Sequence, residues 1–209
     1  MKVNCPLCNT KSDIYYEDIK KYYRCGCCKA IFMDRKSLSD IKSEKLVYQQ
    51  HQNDINDKGY QKFVSPITDL ILETFLESSK GLDFGAGTGP VLSKVLQDNN
   101  FQIKQYDPFF HNYPELLKQK YDYIGSCEVI EHFYNPYKEF LLLKNLLNPH
   151  AKIYLMTEIY DDEIDFAKWY YKNDPTHVFF YSKETFRWIK DNFNFKSLNI
   201  DKRLIVFGN

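Results

Sequence analysis

This 209-residue chain carries no net charge, because 28 Lys and Arg balance 28 Asp and Glu. Most nucleic-acid binders present a broad basic surface, so the balance speaks against that class and leaves room only for a local patch. Residues 1–50 are mildly basic, with ten Lys or Arg against six Asp or Glu, a bias that an ordinary solvated face also produces. No run of eighteen apolar residues occurs, and the opening MKVNCPLC has no apolar signal core, so neither membrane spanning nor export is expected and the expected location is the cytoplasm. Internal repeats and low-complexity runs are absent. The length suits one full α/β domain with a small appendage, and the 44% hydrophobic content supports a packed core. Aromatics are abundant, with 17 Tyr and 16 Phe, which core packing explains for the most part.

Glycine is scarce, and three of the eight glycines fall at alternate positions in residues 82–90, LDFGAGTGP: Gly85, Gly87 and Gly89. A short apolar strand precedes them and the helix-compatible stretch 91–97 follows. Glycine tolerates positive φ and lets a ligand approach the backbone, so strand, turn and helix start together predict a site for a polar adenosyl group. The spacing is G-x-G-x-G rather than the G-x-G-x-x-G of dinucleotide folds. A bare glycine turn is the plain alternative.

Four of the six cysteines form two C-x-x-C pairs, Cys5 with Cys8 and Cys25 with Cys28, separated by sixteen residues. Each pair can aim two thiolates at one point, which predicts a structural four-cysteine Zn²⁺ site at the tips of short hairpins. Cys27 competes with Cys28 for the fourth position, and the symmetry of the spacing favours Cys28. A redox dithiol and unliganded cysteines are the other readings.

The stretch 37–60 reads as a polar connector that either links or covers, with Tyr48, His51, Asn53 and Tyr60 as its candidate lid residues. Ser65-Pro66 reads as a helix start, followed by apolar positions at helical intervals. Strands are expected at 81–84, 101–106, 121–127 and 152–157, and helices at 137–147, 162–171 and 183–192. Two closing strands follow near 195–200 and 204–207. The alternation predicts a doubly wound sheet whose ligands sit outside the carboxyl ends of its strands. Asp107, at the end of the second strand, is the leading side-chain candidate for holding ribose hydroxyls, against a simple turn aspartate before Pro108.

With LDFGAGTGP, YDP, YDYI, CEVIEHF, KIYLMT and DPTHVFFYS in this order, residues 65–209 resemble class I S-adenosylmethionine-dependent methyltransferases. EVIEH resembles the branch that includes polyprenyl-benzoquinol and sugar methylases, and the paired cysteines with DPTHVFFYS are similar to an uncharacterised bacterial group with an N-terminal zinc ribbon. The resemblance implies a Rossmann-like α/β methyltransferase sheet with a small zinc ribbon, divided as ribbon 1–36, connector or lid 37–64 and methyltransferase domain 65–209. It implies that Gly85, Gly87 and Gly89 approach the cofactor's amino-acid part, Asp83 orients the turn or the amino group, Asp107 holds the ribose, and Glu128 lies beside the sulfonium. Only thirteen residues separate Asp107 from YDYI, too few for the helix, strand and adenine-contacting loop usual in the family, which implies a sheet one strand short and leaves residues 108–111 (PFFH) as adenine candidates.

The methyl group of such a donor is already activated, so alignment and water exclusion carry most of the work. A base assists a hydroxyl or amine acceptor, for which His177 is the first candidate and His132 the second, against ordinary core histidines. The leading expectation is a methyltransferase acting on a small-molecule O, N or C acceptor. The alternatives are an RNA or protein methyltransferase docking through the ribbon, and a non-catalytic cofactor-binding module.

Overall fold

The computed structural model describes residues 2–50 and 54–209. At the front, β1 (Val3–Asn4) pairs antiparallel with β2 (Lys11–Glu17), and β3 (Lys21–Arg24) with β4 (Ile31–Met33), so each C-x-x-C occupies a hairpin turn. Helix α1 (Ile41–Gln50) follows, then α2 (Lys58–Thr74). The expected helix start at Ser65-Pro66 is corrected: α2 begins at Lys58, because Asp57 caps it by accepting from Gly59 N at 2.7 Å. Pro66 forfeits one helix hydrogen bond, and the buried Val64, Ile67 and Ile71 hold the helix to the sheet around it.

The larger part alternates β5 (Lys80–Phe84), α3 (Val91–Asp98), β6 (Gln102–Tyr106), β7 (Tyr121–Cys127), α4 (Pro136–Asn145) and β8 (Leu147–Met156). It ends with β9 (Phe179–Phe180), α5 (Lys183–Asn192), β10 (Ser197–Asp201) and β11 (Leu204–Gly208). Six strands form one sheet in the order β10-β11-β8-β7-β5-β6, parallel from β6 to β8 and closed by the antiparallel β11 and β10. Between β6 and β7 the described residues hold only a short 3₁₀ turn, Pro114–Lys118, so the sheet is one strand short as the spacer implied. After β6 the chain crosses to the other flank of β5, and this reversal opens a crevice at the strands' carboxyl ends.

Side chains alternate between the two faces of the sheet, and both faces are buried along β8 over 153–156. Tyr154 and Met156 of β8 pack with Ile67, Ile71, Leu92 and Leu96 of α2 and α3. Ile153 and Leu155 pack on the opposite face with Phe140 and Leu143 of α4 and with Phe186 and Ile189 of α5. The front hairpins join that second core. Strand β4 pairs with β9, which makes Phe179–Phe180 the outer strand of the ribbon's five-stranded sheet. The ring of Phe166 packs against Tyr15, Tyr16, Tyr22 and Phe180 with centroids 5.1 to 5.8 Å apart.

The helix expected over 162–171 is corrected to turns ending in a 3₁₀ segment, Tyr170–Asn173. Asp161 and Asp165 each accept from the backbone N–H two residues on, Glu163 N at 2.9 Å and Ala167 N at 3.1 Å, which diverts those amides from a helix ladder. Among the described residues, no helix is long and apolar enough to cross a membrane.

Candidate active site

The crevice at the carboxyl ends of β5, β6 and β7 widens into a cavity of about 1010 Å³, lined by the glycine turn, Asp107, Glu128, His132 and His177 among others. That is the upper end of the roughly 300–1,000 Å³ typical of small-molecule sites and gives room for two ligands. Gly85 and Gly87 have φ of 83° and 62°. A Cβ on Gly85 would lie 2.5 Å from Val129 Cγ2, whereas one on Gly87 would meet nothing within 4 Å. Gly85 is therefore required by packing behind the turn, and Gly87 exposes bare backbone to the cavity.

Asp107 fastens the turn. Its Oδ2 accepts from Gly87 N at 3.0 Å, while Oδ1 accepts from Phe109 N and Phe110 N at 2.8 and 3.1 Å. A carboxylate offers about four acceptor positions, so three backbone donors leave one for a ligand hydroxyl. The turn-aspartate and ribose-binding readings thus coincide in one side chain. Pro108, Phe109 and Phe110 line the cavity; His111 instead exchanges backbone hydrogen bonds with Asp107. Asp83 is buried beneath the turn and accepts from Ser93 Oγ at 2.7 Å; burial, opposed by that bond, pushes its pKa up to about 6.

The other end of the cavity is a buried polar corner. Glu128, at the tip of β7, holds a left-handed φ of 53°, a strained backbone for a side-chain-bearing residue. Its Oε2 accepts from Arg203 at 2.7 Å and lies 3.2 Å from the Tyr171 hydroxyl, whose single hydrogen goes to the nearer Glu131, while Oε1 is buried without a hydrogen-bond partner among the described residues. Burial, reinforced by the nearby Glu131 carboxylate and opposed by Arg203, pushes the Glu128 pKa up to about 8. Glu131 is fully buried and receives Tyr171 Oη at 2.5 Å and Thr157 Oγ1 at 3.0 Å. His177 Nε2 stands 3.9 Å from Glu131 and 3.8 Å from Asp174, and its ring lies 4.8 Å from that of His132. Burial lowers the His177 pKa against the opposing pull of Glu131, so the imidazole is neutral near pH 7.

Helix α1 closes one side. Tyr48 lines the cavity, donates to Glu44 at 2.8 Å, and packs on Phe109 and His132 with centroids 5.6 and 5.2 Å away. Tyr60 of α2 lines it too, while the other lid candidates, His51 and Asn53, lie outside the described residues.

The cysteine knuckles are built alike. In each, the residue after the second cysteine is left-handed, Asn9 at 61° and Lys29 at 62°, and donates its N–H to the carbonyl of the first cysteine. This equivalence matches Cys28 to Cys8 and excludes the exposed Cys27 from the cluster. The sulfurs of Cys5, Cys8, Cys25 and Cys28 all lie within 4.8 Å of one another, which fits a tetrahedral Zn²⁺ with Zn–S bonds of about 2.3 Å. Three of the four are buried, and four thiolates fill a tetrahedral shell, leaving no open coordination position of the kind a catalytic zinc keeps. The ribbon also reaches the polar corner, because Met33 N donates to Val178 O and Val178 N to Glu131 O, each at 2.9 Å.

Sequence reasoning did not single out Tyr171 or Arg203. Arg203 reaches Glu128 from a hairpin turn 75 residues away, and next to Lys202 in that turn nothing in the sequence distinguishes it from an ordinary exposed turn cation.

A methyltransferase-domain family profile matches residues 56–200. Among solved structures, the chain is similar to a SAM-dependent methyltransferase from Archaeoglobus fulgidus (15% identity, TM-score 0.56, 71% of this chain and 94% of that one). It is also similar to human N-acetylserotonin methyltransferase in complex with SAM (12% identity, TM-score 0.55, 80% and 56%). An O-methyltransferase family protein from Burkholderia thailandensis matches at 11% identity and TM-score 0.52, covering 71% and 56%. The chain thus spans little more than half of the latter two proteins, and at these identities the likeness is one of fold. No functionally curated protein matches the chain in sequence.

Proposed function

We propose that this chain, which belongs to the methyltransferase-domain family, transfers the methyl group of S-adenosylmethionine to a small-molecule acceptor. The observation that carries this reading is that the glycine turn and the Glu128–His177 corner face one cavity with room for a donor and an acceptor together. When bound, the cofactor supplies a methyl group already activated on a positively charged sulfur. The bare backbone at Gly85, Gly87 and Gly89 lets its amino-acid part approach, Asp107 offers its remaining acceptor position to the ribose, and Pro108, Phe109 and Phe110 form the adenine wall. Asp83 balances the cofactor's ammonium, and Glu128 faces the sulfonium.

At the acceptor end, neutral His177, with His132 beside it, can receive a proton from a hydroxyl or amine. Residues 37–64 serve as a lid through Tyr48 and Tyr60, which exclude water from the reacting atoms. The ribbon, residues 1–36, braces Val178 and hence the corner. Incubation with methyl-labelled S-adenosylmethionine and fractionated lysate tests this reading. Label in small metabolites that disappears with Asp107→Ala supports it; label in RNA or protein, or none in any fraction, refutes it.

A further inference from the structure

The four-cysteine cluster of the ribbon has a counterpart in the wall of the cavity. Glu131, His132 and His177 each offer one ligand atom, and these atoms lie within 4.8 Å of one another; His132 and His177 line the acceptor end of the cavity, and Glu131 is fully buried beside them. We propose that these three side chains bind a second metal ion, a divalent transition-metal cation with open positions facing the cavity, and that the acceptor is an oxygen compound held on it.

Each candidate ligand is oriented from behind. Backbone carbonyls can only accept, so His132 Nδ1 donates to Thr176 O at 2.9 Å and His177 Nδ1 to Tyr171 O at 2.7 Å. Both rings are thereby fixed in the tautomer whose lone pair is on Nε2, the arrangement that metal-binding histidines use. Glu131 is held by Thr157 and Tyr171, one on each oxygen. Two imidazoles and one carboxylate form a donor set suited to Mn, Fe, Co or Zn, in contrast to the four thiolates of the ribbon.

Charge points the same way. Glu128, Glu131 and Asp174 surround the corner, and Arg203 is shared between Glu128 and Glu158. Two carboxylates, Glu128 and Glu131, are bridged by one Tyr171 hydroxyl and leave Glu128 Oε1 without a partner among the described residues. A dication at this corner favours the charged form of both carboxyl groups and compensates it. With it in place the imidazoles act as ligands rather than as bases. A coordinated hydroxyl becomes more acidic, and Oε1 of Glu128 is available to take its proton. The role assigned to the cation rests on the methyl-transfer reading of the cavity, whereas cation binding itself does not.

The test uses the full chain carrying its ribbon zinc, titrated with Mn²⁺ and followed by electron paramagnetic resonance, with S-adenosylhomocysteine binding measured on the same samples. Mn²⁺ is a hard ion that the thiolate site does not favour. One Mn²⁺ per chain is expected, with affinity lowered at least tenfold in His177→Ala and in the half-buried His132→Ala, whose folding the cofactor titration verifies. No Mn²⁺ binding by wild type, or binding unchanged in both variants, overturns the proposal. If wild type binds S-adenosylhomocysteine but not Mn²⁺, only the cation site fails; if it binds Mn²⁺ but not S-adenosylhomocysteine, the donor site fails and the cation site stands.

Discussion

Replacing Asp83 by Asn separates what the glycine turn requires for folding from what it requires for binding. The carboxyl is buried, and its pKa rises from 3.8 to about 6 in the fold, chiefly because burial disfavours the charge. A folded-state pKa above the unfolded one means that the folded chain binds more protons between those values, so stability falls as pH rises through the window from 3.8 to about 6. A shift of this size corresponds to about 3 kcal/mol, fully expressed by pH 8 and absent below pH 4. In Asp83→Asn the amide oxygen still accepts from Ser93, and the charge penalty disappears. Urea denaturation of the cofactor-free protein at pH 8 should show the variant more stable by up to about 3 kcal/mol, or about 6 to 12 °C in Tm for a chain of this length, with the difference vanishing at pH 4. Titration with S-adenosylhomocysteine should show weakened binding, because the cofactor's ammonium loses its counter-charge. A variant no more stable at pH 8 would show that the buried Asp83 charge carries no folding penalty, and one that keeps full cofactor affinity would show that Asp83 does not balance the ammonium.

Gly85→Ala should destabilise the cofactor-free fold, since its Cβ would meet Val129 at 2.5 Å, whereas Gly87→Ala should cost only the backbone strain of about 1–2 kcal/mol yet lower cofactor affinity; denaturation and titration of both variants check the contrast. Purified wild type should contain one zinc in the ribbon, retained in Cys27→Ser and lost in Cys5→Ser by elemental analysis. Because Met33 reaches Glu131 through Val178, Cys5→Ser should lower methyl transfer more than cofactor affinity. Tyr48→Ala removes aromatic contacts worth about 0.5–1.5 kcal/mol each with Phe109 and His132, and should weaken ligand binding about tenfold without loss of fold.

What could be read from the chain was local. The strand, glycines and helix start at 82–97 are contiguous, and so are the two C-x-x-C knuckles, so period and spacing expose them directly. EVIEH and DPTHV were also visible as motifs, but that Glu131, His132 and His177 converge follows from Val178 pairing with Glu131 across the ribbon edge, a contact no spacing encodes. The two-residue strand Phe179–Phe180 is too short for alternation to mark, which concealed the ribbon's union with the main core. Asp161 and Asp165 interrupted an expected helix through side-chain hydrogen bonds to the backbone that compete with helix formation in a stretch of otherwise helical pattern.

On the proposed reading, the glycine turn and Asp107 form the donor half of this cavity. Calorimetric titration of the purified chain with S-adenosylhomocysteine tests it most directly. One site per chain is expected, abolished in Asp107→Ala, which frees Gly87 N and removes the ribose acceptor together. Absence of binding by wild type, or undiminished binding by a folded Asp107→Ala variant, would contradict it.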